Sequence, residues 1–211
     1  MVRRSKLQVR LAVLLAMLLE CMPLLAAAQD IQRITLLGQK EILSHPGTDP
    51  AGAPDADVTI VEYLDYNCAY CKKLVPTFQA LLAQDHKIAI VYKDWPIFGG
   101  VSVYAAKSAL AAQWQGKYLV AHAALISGPR LARESQVDET LQHAGVNLAA
   151  LKRDRTSRAK DIDALLARND AEARALGLKG TPGIVVGRQV LPGLADLFTL
   201  QQVVDESRSG K

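Results

Sequence analysis

Residues 58–72 read Val-Thr-Ile-Val-Glu-Tyr-Leu-Asp-Tyr-Asn-Cys-Ala-Tyr-Cys-Lys. The first seven are β-branched or apolar at nearly every position, the signature of a strand buried on both faces, with Glu62 the exception. Asp65-Tyr66-Asn67 turns the chain, and Asn67 is expected to cap the helix that follows. That helix carries Leu74, Phe78, Leu81 and Leu82 at helical spacing, with Pro76 expected to kink it by removing one backbone donor. Ile88–Lys93 reads as a second strand. A strand, a helix and a strand at this spacing make a parallel βαβ unit.

Cys68-Ala-Tyr-Cys71 falls where the strand has ended and the helix begins. The unpaired N–H groups and dipole of a helix start favour an anion, so Cys68 should be the more acidic thiol. Cys71 lies one turn on and can close a short disulfide, while Lys72 and Lys73 add positive potential. A thiolate attacks a disulfide and a neighbouring thiol resolves the mixed intermediate. CxxC alone is a weak signal; a strand before it and a helix after it make it a strong one. A structural zinc site needs about four ligands, and His45, His86, His122 and His143 show no paired ligand spacing. Neither a metal nor a cofactor is expected, and His122 should be a packed side chain.

Downstream the pattern changes. Val103, Leu110 and Trp114 mark a helix stopped near Gly116, and Tyr118–Ile126 marks another. Residues 136–144 and a long run 148–176 supply more helix, with Gly177 as the stop. Strand signals return at 184–186 and 189–191, joined across Gly187-Arg188 as a hairpin, and a last helix covers about 195–207. The order β-α-β, helical block, β-β-α describes an α/β domain over 58–208 with a helical insertion at about 101–176. The basic run Lys152, Arg153, Arg155, Arg158 and Lys160 is interleaved with acids and reads as a solvated helix face.

The chain has 211 residues, 50% hydrophobic and 22% charged, which can bury a sizeable core and excludes a disordered or collagen-like chain. Of the formal charge of +4, residues 1–28 hold +3, through Arg3, Arg4, Lys6 and Arg10 against Glu20. The remainder is too nearly neutral for a general nucleic-acid-binding surface. The same basic stretch leads into the apolar run Leu11–Leu19, then Pro23 and Ala26-Ala27-Ala28, the pattern of a cleaved secretory signal peptide over 1–28. That run is well short of the roughly 20 residues that span a bilayer. Cleavage would remove Cys21 and leave Cys68 and Cys71 in a disulfide-permissive compartment. Residues 29–57 form a leader, with Ile31, Ile34 and Ile42 marking a short amphipathic helix and 49–54 a loop. The leader is short for an assembly region, and the oligomeric state is left open.

Over about residues 55–208 the sequence resembles the DsbA-like branch of the thioredoxin superfamily. The likeness rests on Val61-Glu62-Tyr63, on Asp65-Tyr66-Asn67-Cys68-Ala69-Tyr70-Cys71-Lys72, on Lys93-Asp94-Trp95-Pro96-Ile97, and on Gly180-Thr181-Pro182 before the hairpin. The last three together are most similar to ScsC-type proteins, exported disulfide oxidoreductases linked to copper tolerance. The resemblance implies a thioredoxin fold divided by a helical insertion and a cis Thr181-Pro182 peptide beside the nucleophile. It implies Cys68 as nucleophile, Cys71 as resolving thiol and Glu62 as a buried acid assisting proton transfer, with Lys93 its charge partner. Thr181, Pro182 and Tyr70 would contact substrate. The implied partners are cysteine-containing exported proteins and a membrane redox partner that recycles the pair, in the periplasm. The dipeptide Ala69-Tyr70 departs from the His-containing dipeptide of the strongest oxidants, which points to a potential below the roughly −120 mV extreme. Oxidase action is the leading expectation, with isomerase, reductase and a Cu(I)-binding dithiol module as alternatives.

Overall fold

The computed structural model describes residues 38–44 and 48–210. Residues 1–28, read from the sequence as a signal peptide, and Ile31 and Ile34 lie outside the described residues.

The strand read at 58–64 forms as β2 (Val58–Leu64), with every residue but Thr59 buried. It pairs in parallel with β3 (Ile88–Asp94), and the helix between them is α2 (Ala69–Gln84). The hairpin forms as β4 (Gly183–Val186) and β5 (Gln189–Pro192), with β4 antiparallel to β2. Residues 49–54, expected as a loop, instead contain the edge strand β1 (Ala51–Gly52), antiparallel to β3. Two residues are too few to carry a period-2 pattern; the exposed edge of β3 recruits them. The sheet order is β1-β3-β2-β4-β5, a thioredoxin-like α/β fold.

Alternation along β2 feeds two separate cores. Val58 and Ile60 face α2 and the C-terminal helix α8 (Leu197–Arg208), where Leu74, Phe78, Leu81, Leu200 and Val204 cover them. Val61 and Tyr63 face the other way, onto Trp95, Ala173, Leu176 and Ile42. Ile42 ends the helical turn α1 (Gln39–Ile42). Burying one such Leu or Phe side chain contributes about 1.5–3 kcal/mol, so both layers stabilise the sheet. Asp196 caps α8 by accepting from the Thr199 N–H at 2.8 Å, which starts that helix two residues later than its apolar pattern suggests.

Between β3 and β4 lie α3 (Gly100–Ala111), α4 (Tyr118–Ser127), α5 (Glu134–His143), α6 (Leu148–Ser157) and α7 (Ala159–Ala175). The buried face of α3 is made of Ser102, Ala105, Ala106, Ser108, Ala109 and Ala111 beside Leu110. Such small side chains let α4, α5, α6 and α7 approach it closely. The single helix expected over 148–176 is two, broken at Arg158 (φ −106°, ψ 16°). No Pro or Gly marks the break. It allows Leu151 on α6 to pack into the insertion while α7 carries Glu172 and Ala173 back to the sheet. Gly177, at φ 81°, closes α7 in the left-handed geometry that Gly adopts without strain. Among the described residues no helix is long and apolar enough to cross a membrane.

Candidate active site

Leu64, Tyr66, Cys68 and Cys71 are packed into the same cluster as the insertion core, so the insertion roofs the end of β2 and the start of α2. The turn between them is organised by Asp65, whose role local pattern reading missed. Its buried carboxylate accepts from the Asn67 N–H at 2.7 Å, the Ile97 N–H at 2.7 Å, the Phe98 N–H at 3.0 Å and the Ser102 hydroxyl at 2.7 Å. One side chain thus ties the CxxC turn to the 95–99 loop and to α3. An acid directly after a strand was the only available signal, and three of its four partners, Ile97, Phe98 and Ser102, lie more than thirty residues away.

Asn67 does not cap α2. Its Oδ1 accepts from the Leu131 N–H at 2.8 Å and its Nδ2 donates to the Leu131 carbonyl at 3.1 Å. Two bonds to one peptide outweigh the single bond a cap would supply. The capping position passes to Cys68, whose sulfur accepts from the Cys71 N–H at 3.3 Å. The nucleophile candidate is therefore itself the N-cap, and the helix start acts on the sulfur directly.

The two thiols are unbonded and sharply unlike. Cys68 is lowered to about 6, chiefly by hydrogen bonding from the Cys71 thiol, helped by the Thr181 side chain and the backbone N–H groups of Cys71 and Tyr70, and opposed by burial. Cys71 is pushed far upward by burial, by its bond to Cys68 and by the charge of Glu62. The pair thus has one member that ionises near neutral pH and one that holds its proton. Alkylation of Cys68 in the reduced protein is expected to rise with pH through a midpoint near 6. A midpoint at the unperturbed ~8.5 would remove the asymmetry. The folded-state value lies below the unfolded one, so this thiolate stabilises the reduced fold above the unfolded thiol's range. That stabilisation is lost as pH falls through about 6.

The Thr181-Pro182 peptide is cis, and the Thr181 carbonyl accepts from the Cys68 thiol at 3.1 Å. Tyr70 is 58% exposed, with Lys73 Nζ 5.5 Å from its ring centroid, and Phe98 on the neighbouring loop is 55% exposed. Lys72 spends its ammonium on the carbonyls of Leu125, Ile126 and Gly128 at the end of α4, at 2.9–3.2 Å. It clamps α4 to α2 while remaining a cation near the thiols.

Glu62 is buried on the α2 face of the sheet, and among the described residues its Oε1 has no hydrogen-bond partner. Burial, with a smaller contribution from the charge of Cys68, raises its carboxyl well above the usual range. Lys93 is not its partner. In the parallel register Lys93 lies beside Tyr63 and Tyr92 beside Glu62. Strand alternation therefore sends the Lys93 ammonium to the opposite face. There it pairs with Glu172 of α7, donates to the Glu41 carbonyl at 3.1 Å, and is fully buried. Glu172 also accepts from the Tyr63 hydroxyl at 3.0 Å and from Arg168 at 2.7 Å. His122 is buried and packed, its ring stacked 3.8 Å from Tyr92 and its Nδ1 3.4 Å from the Tyr66 hydroxyl. Among the described residues no group of three or more His, Cys, Asp or Glu is arranged to hold a metal ion.

A CxxC turn at a helix start, facing a cis-proline loop on a thioredoxin-like sheet split by helices, has close structural counterparts. A thioredoxin-like oxidoreductase from Silicibacter pomeroyi is 37% identical, with 82% of this chain and 98% of that one covered at a TM-score of 0.77. The thiol-disulfide exchange protein alpha-DsbA2 from Wolbachia pipientis is 26% identical over 85% and 96%, at 0.78. The catalytic domain of Proteus mirabilis ScsC, 24% identical over 85% and 98% at 0.70, shares the fold. No curated protein matches the chain. The DSBA-like thioredoxin domain matches residues 59–205, the stretch that carries both cysteines and the Thr181-Pro182 loop, and the chain belongs to that family of thiol–disulfide oxidoreductases.

Proposed function

We propose that the protein works as an exported oxidase, donating a Cys68–Cys71 disulfide to cysteine-containing proteins. The observation that carries this is the unequal pair of thiols: Cys68 caps α2 and is lowered to about 6, while Cys71 holds its proton. In the donating direction a substrate thiolate attacks Cys68, the Cys68–Cys71 bond breaks, and Cys71 leaves and takes a proton from Glu62. A second substrate thiolate then attacks the substrate sulfur of the mixed disulfide and expels Cys68 as a thiolate. A low-pKa thiol is a fast leaving group, so this step favours oxidation of the substrate. The Thr181 backbone and Pro182 provide the platform for an extended substrate segment, and Tyr70 an exposed aromatic contact beside it. Two electrons then remain on the dithiol, and a membrane redox partner removes them. The basic and apolar residues 1–28 support export to the periplasm.

The redox potential of the couple tests the direction. It is expected between about −270 mV and −120 mV, above thioredoxin because Cys68 is a stabilised thiolate and below the strongest oxidants because Ala69-Tyr70 supplies no cation. A value at or below the thioredoxin end would make the protein a reductase. Refolding of a scrambled disulfide substrate separates an isomerase, and titration of the reduced pair with Cu(I) separates a metal-binding dithiol.

A further inference from the structure

Among the exposed cations, Lys87 is held by Asp55, Lys152 by Asp138, Arg174 by Asp170, and Arg208 by Asp57 and Asp85. Lys73, Arg130 and Lys179 are exposed as well, yet among the described residues their side chains make no ion pair and no hydrogen bond. They come from three separate segments, and each segment is tied to the CxxC turn. Lys73 of α2 lies 5.5 Å from the Tyr70 ring centroid. Arg130 directly precedes Leu131, whose N–H and carbonyl are both bonded to the Asn67 side chain. Lys179 stands two residues before Thr181, whose carbonyl accepts from the Cys68 thiol at 3.1 Å. Adjacent Cα atoms are about 3.8 Å apart, so all three backbones lie within about two Debye lengths of Cys68, at ~8 Å each in physiological salt. The acids of the region do not cancel this charge. Glu62 and Asp65 are buried, Glu134 is balanced by the exposed Arg133 before it, and Asp196, which shares a groove with Lys73, caps α8. Between the cations stand the exposed side chains of Tyr70, Ile97 and Phe98.

Resting on the thiol–disulfide exchange proposed above, we infer that this rim selects substrates by charge: the preferred partner is a protein segment with Asp or Glu close to its reactive cysteine. A segment laid along the Thr181 backbone is held by main-chain bonds, which carry no side-chain selectivity. The rim supplies that selectivity. An extended chain rises ~3.3 Å per residue, so carboxylates up to about three residues from the cysteine reach some 10 Å to either side. That matches the spread of the three cations around Cys68. The apolar side chains between them cover the substrate backbone and keep water from the pairs. The reacting group gains from the same field, because it arrives as an anion. The substrate thiolate forms its bond to the Cys68 sulfur, the Cys68–Cys71 bond breaks, and its electron pair leaves on Cys71. Complementary charge at such a rim acts mainly on the rate of productive encounter, and salt weakens it.

The probes are cysteine peptides that differ only in having Glu, Gln or Lys on both sides of the cysteine. The second-order rate of their attack on the oxidised protein is read by acid quench and mass analysis. Comparing the Glu:Gln rate ratio between proteins cancels the effect of the flanking acid on the peptide thiol itself. Lys73→Gln/Arg130→Gln/Lys179→Gln should lower that ratio by about 10-fold at low salt and raise the Lys:Gln ratio. The difference should vanish near 1 M salt, where the Debye length is about 3 Å. A change in Cys68 acidity alone would move all three peptides together and leave both ratios where they were. The single reversals Lys73→Glu, Arg130→Glu and Lys179→Glu should each lower the Glu:Gln ratio about 2–5-fold, the scale of one exposed ion pair, and they serve should the triple variant fold poorly. Arg188→Glu reverses an exposed charge at the hairpin turn, the end of β4 away from the Thr181-Pro182 loop, and should leave the ratio unchanged. A ratio equal in the parent and triple-variant proteins, or one that falls as far in Arg188→Glu, would overturn the charged rim and keep the exchange function. No reaction with any of the three peptides would overturn both.

Discussion

Cys68→Ser is expected to stop thiol–disulfide exchange altogether, whereas Cys71→Ser should accumulate mixed disulfides with its substrates. The difference follows from where each sulfur sits. Cys68 caps α2, accepts from the Cys71 N–H at 3.3 Å and ionises at about 6, so it supplies the attacking thiolate. Cys71 is held protonated by burial and by its neighbours, so it cannot replace the lost nucleophile. With Ser at 71, attack by Cys68 survives and resolution does not. Non-reducing gels of the purified variants with a reporter disulfide peptide, confirmed by mass of the trapped adduct, read the result directly. Adducts on Cys68→Ser and none on Cys71→Ser would reverse the two roles.

Glu172→Leu is expected to destabilise the fold by ~3–5 kcal/mol, the cost of leaving a buried charge without its partner. Lys93 is fully buried and its ammonium pairs with Glu172. Without that carboxylate it keeps, among the described residues, the Glu41 carbonyl and the face of the Tyr63 ring, 5.6 Å from its centroid. Lys93→Met should cost clearly less. Glu172 then still accepts from Arg168 and Tyr63, and a methionine of similar length fills the space. Urea denaturation of the reduced proteins gives both values. The two variants should leave the Cys68 titration unchanged, because the ion pair lies on the face of the sheet opposite Glu62 and the thiols. A shift of the Cys68 midpoint in Lys93→Met would restore the pairing of Lys93 with Glu62 that the sequence resemblance implied.

What the sequence determined by itself was everything carried by short-range pattern. β-branched and apolar runs at 58–64 and 88–92, interrupted only by Glu62, with helical spacing between them, were sufficient for the βαβ unit, because period and burial are local properties of a strand or helix. The position of Cys68-Ala-Tyr-Cys71 between strand and helix was legible for the same reason, and with it the acidity of the first thiol. Gly177 and the 187–188 turn were readable because Gly is chosen for backbone angles that other residues avoid. Only the tertiary structure decided the partners of polar groups. Asn67 left the helix cap for Leu131, sixty-four residues on, Lys93 chose Glu172 across seventy-nine, and Asp65 gathered donors from a loop and a helix that no periodicity connects to it. The break at Arg158 and the edge strand at 51–52 were likewise imposed from outside, by the surfaces those segments pack on. An apolar side chain needs only the correct face, and the repeat of the chain specifies that. A buried hydrogen bond or ion pair needs one particular atom within about 3 Å, and which atom arrives there is settled only when distant segments close on one another.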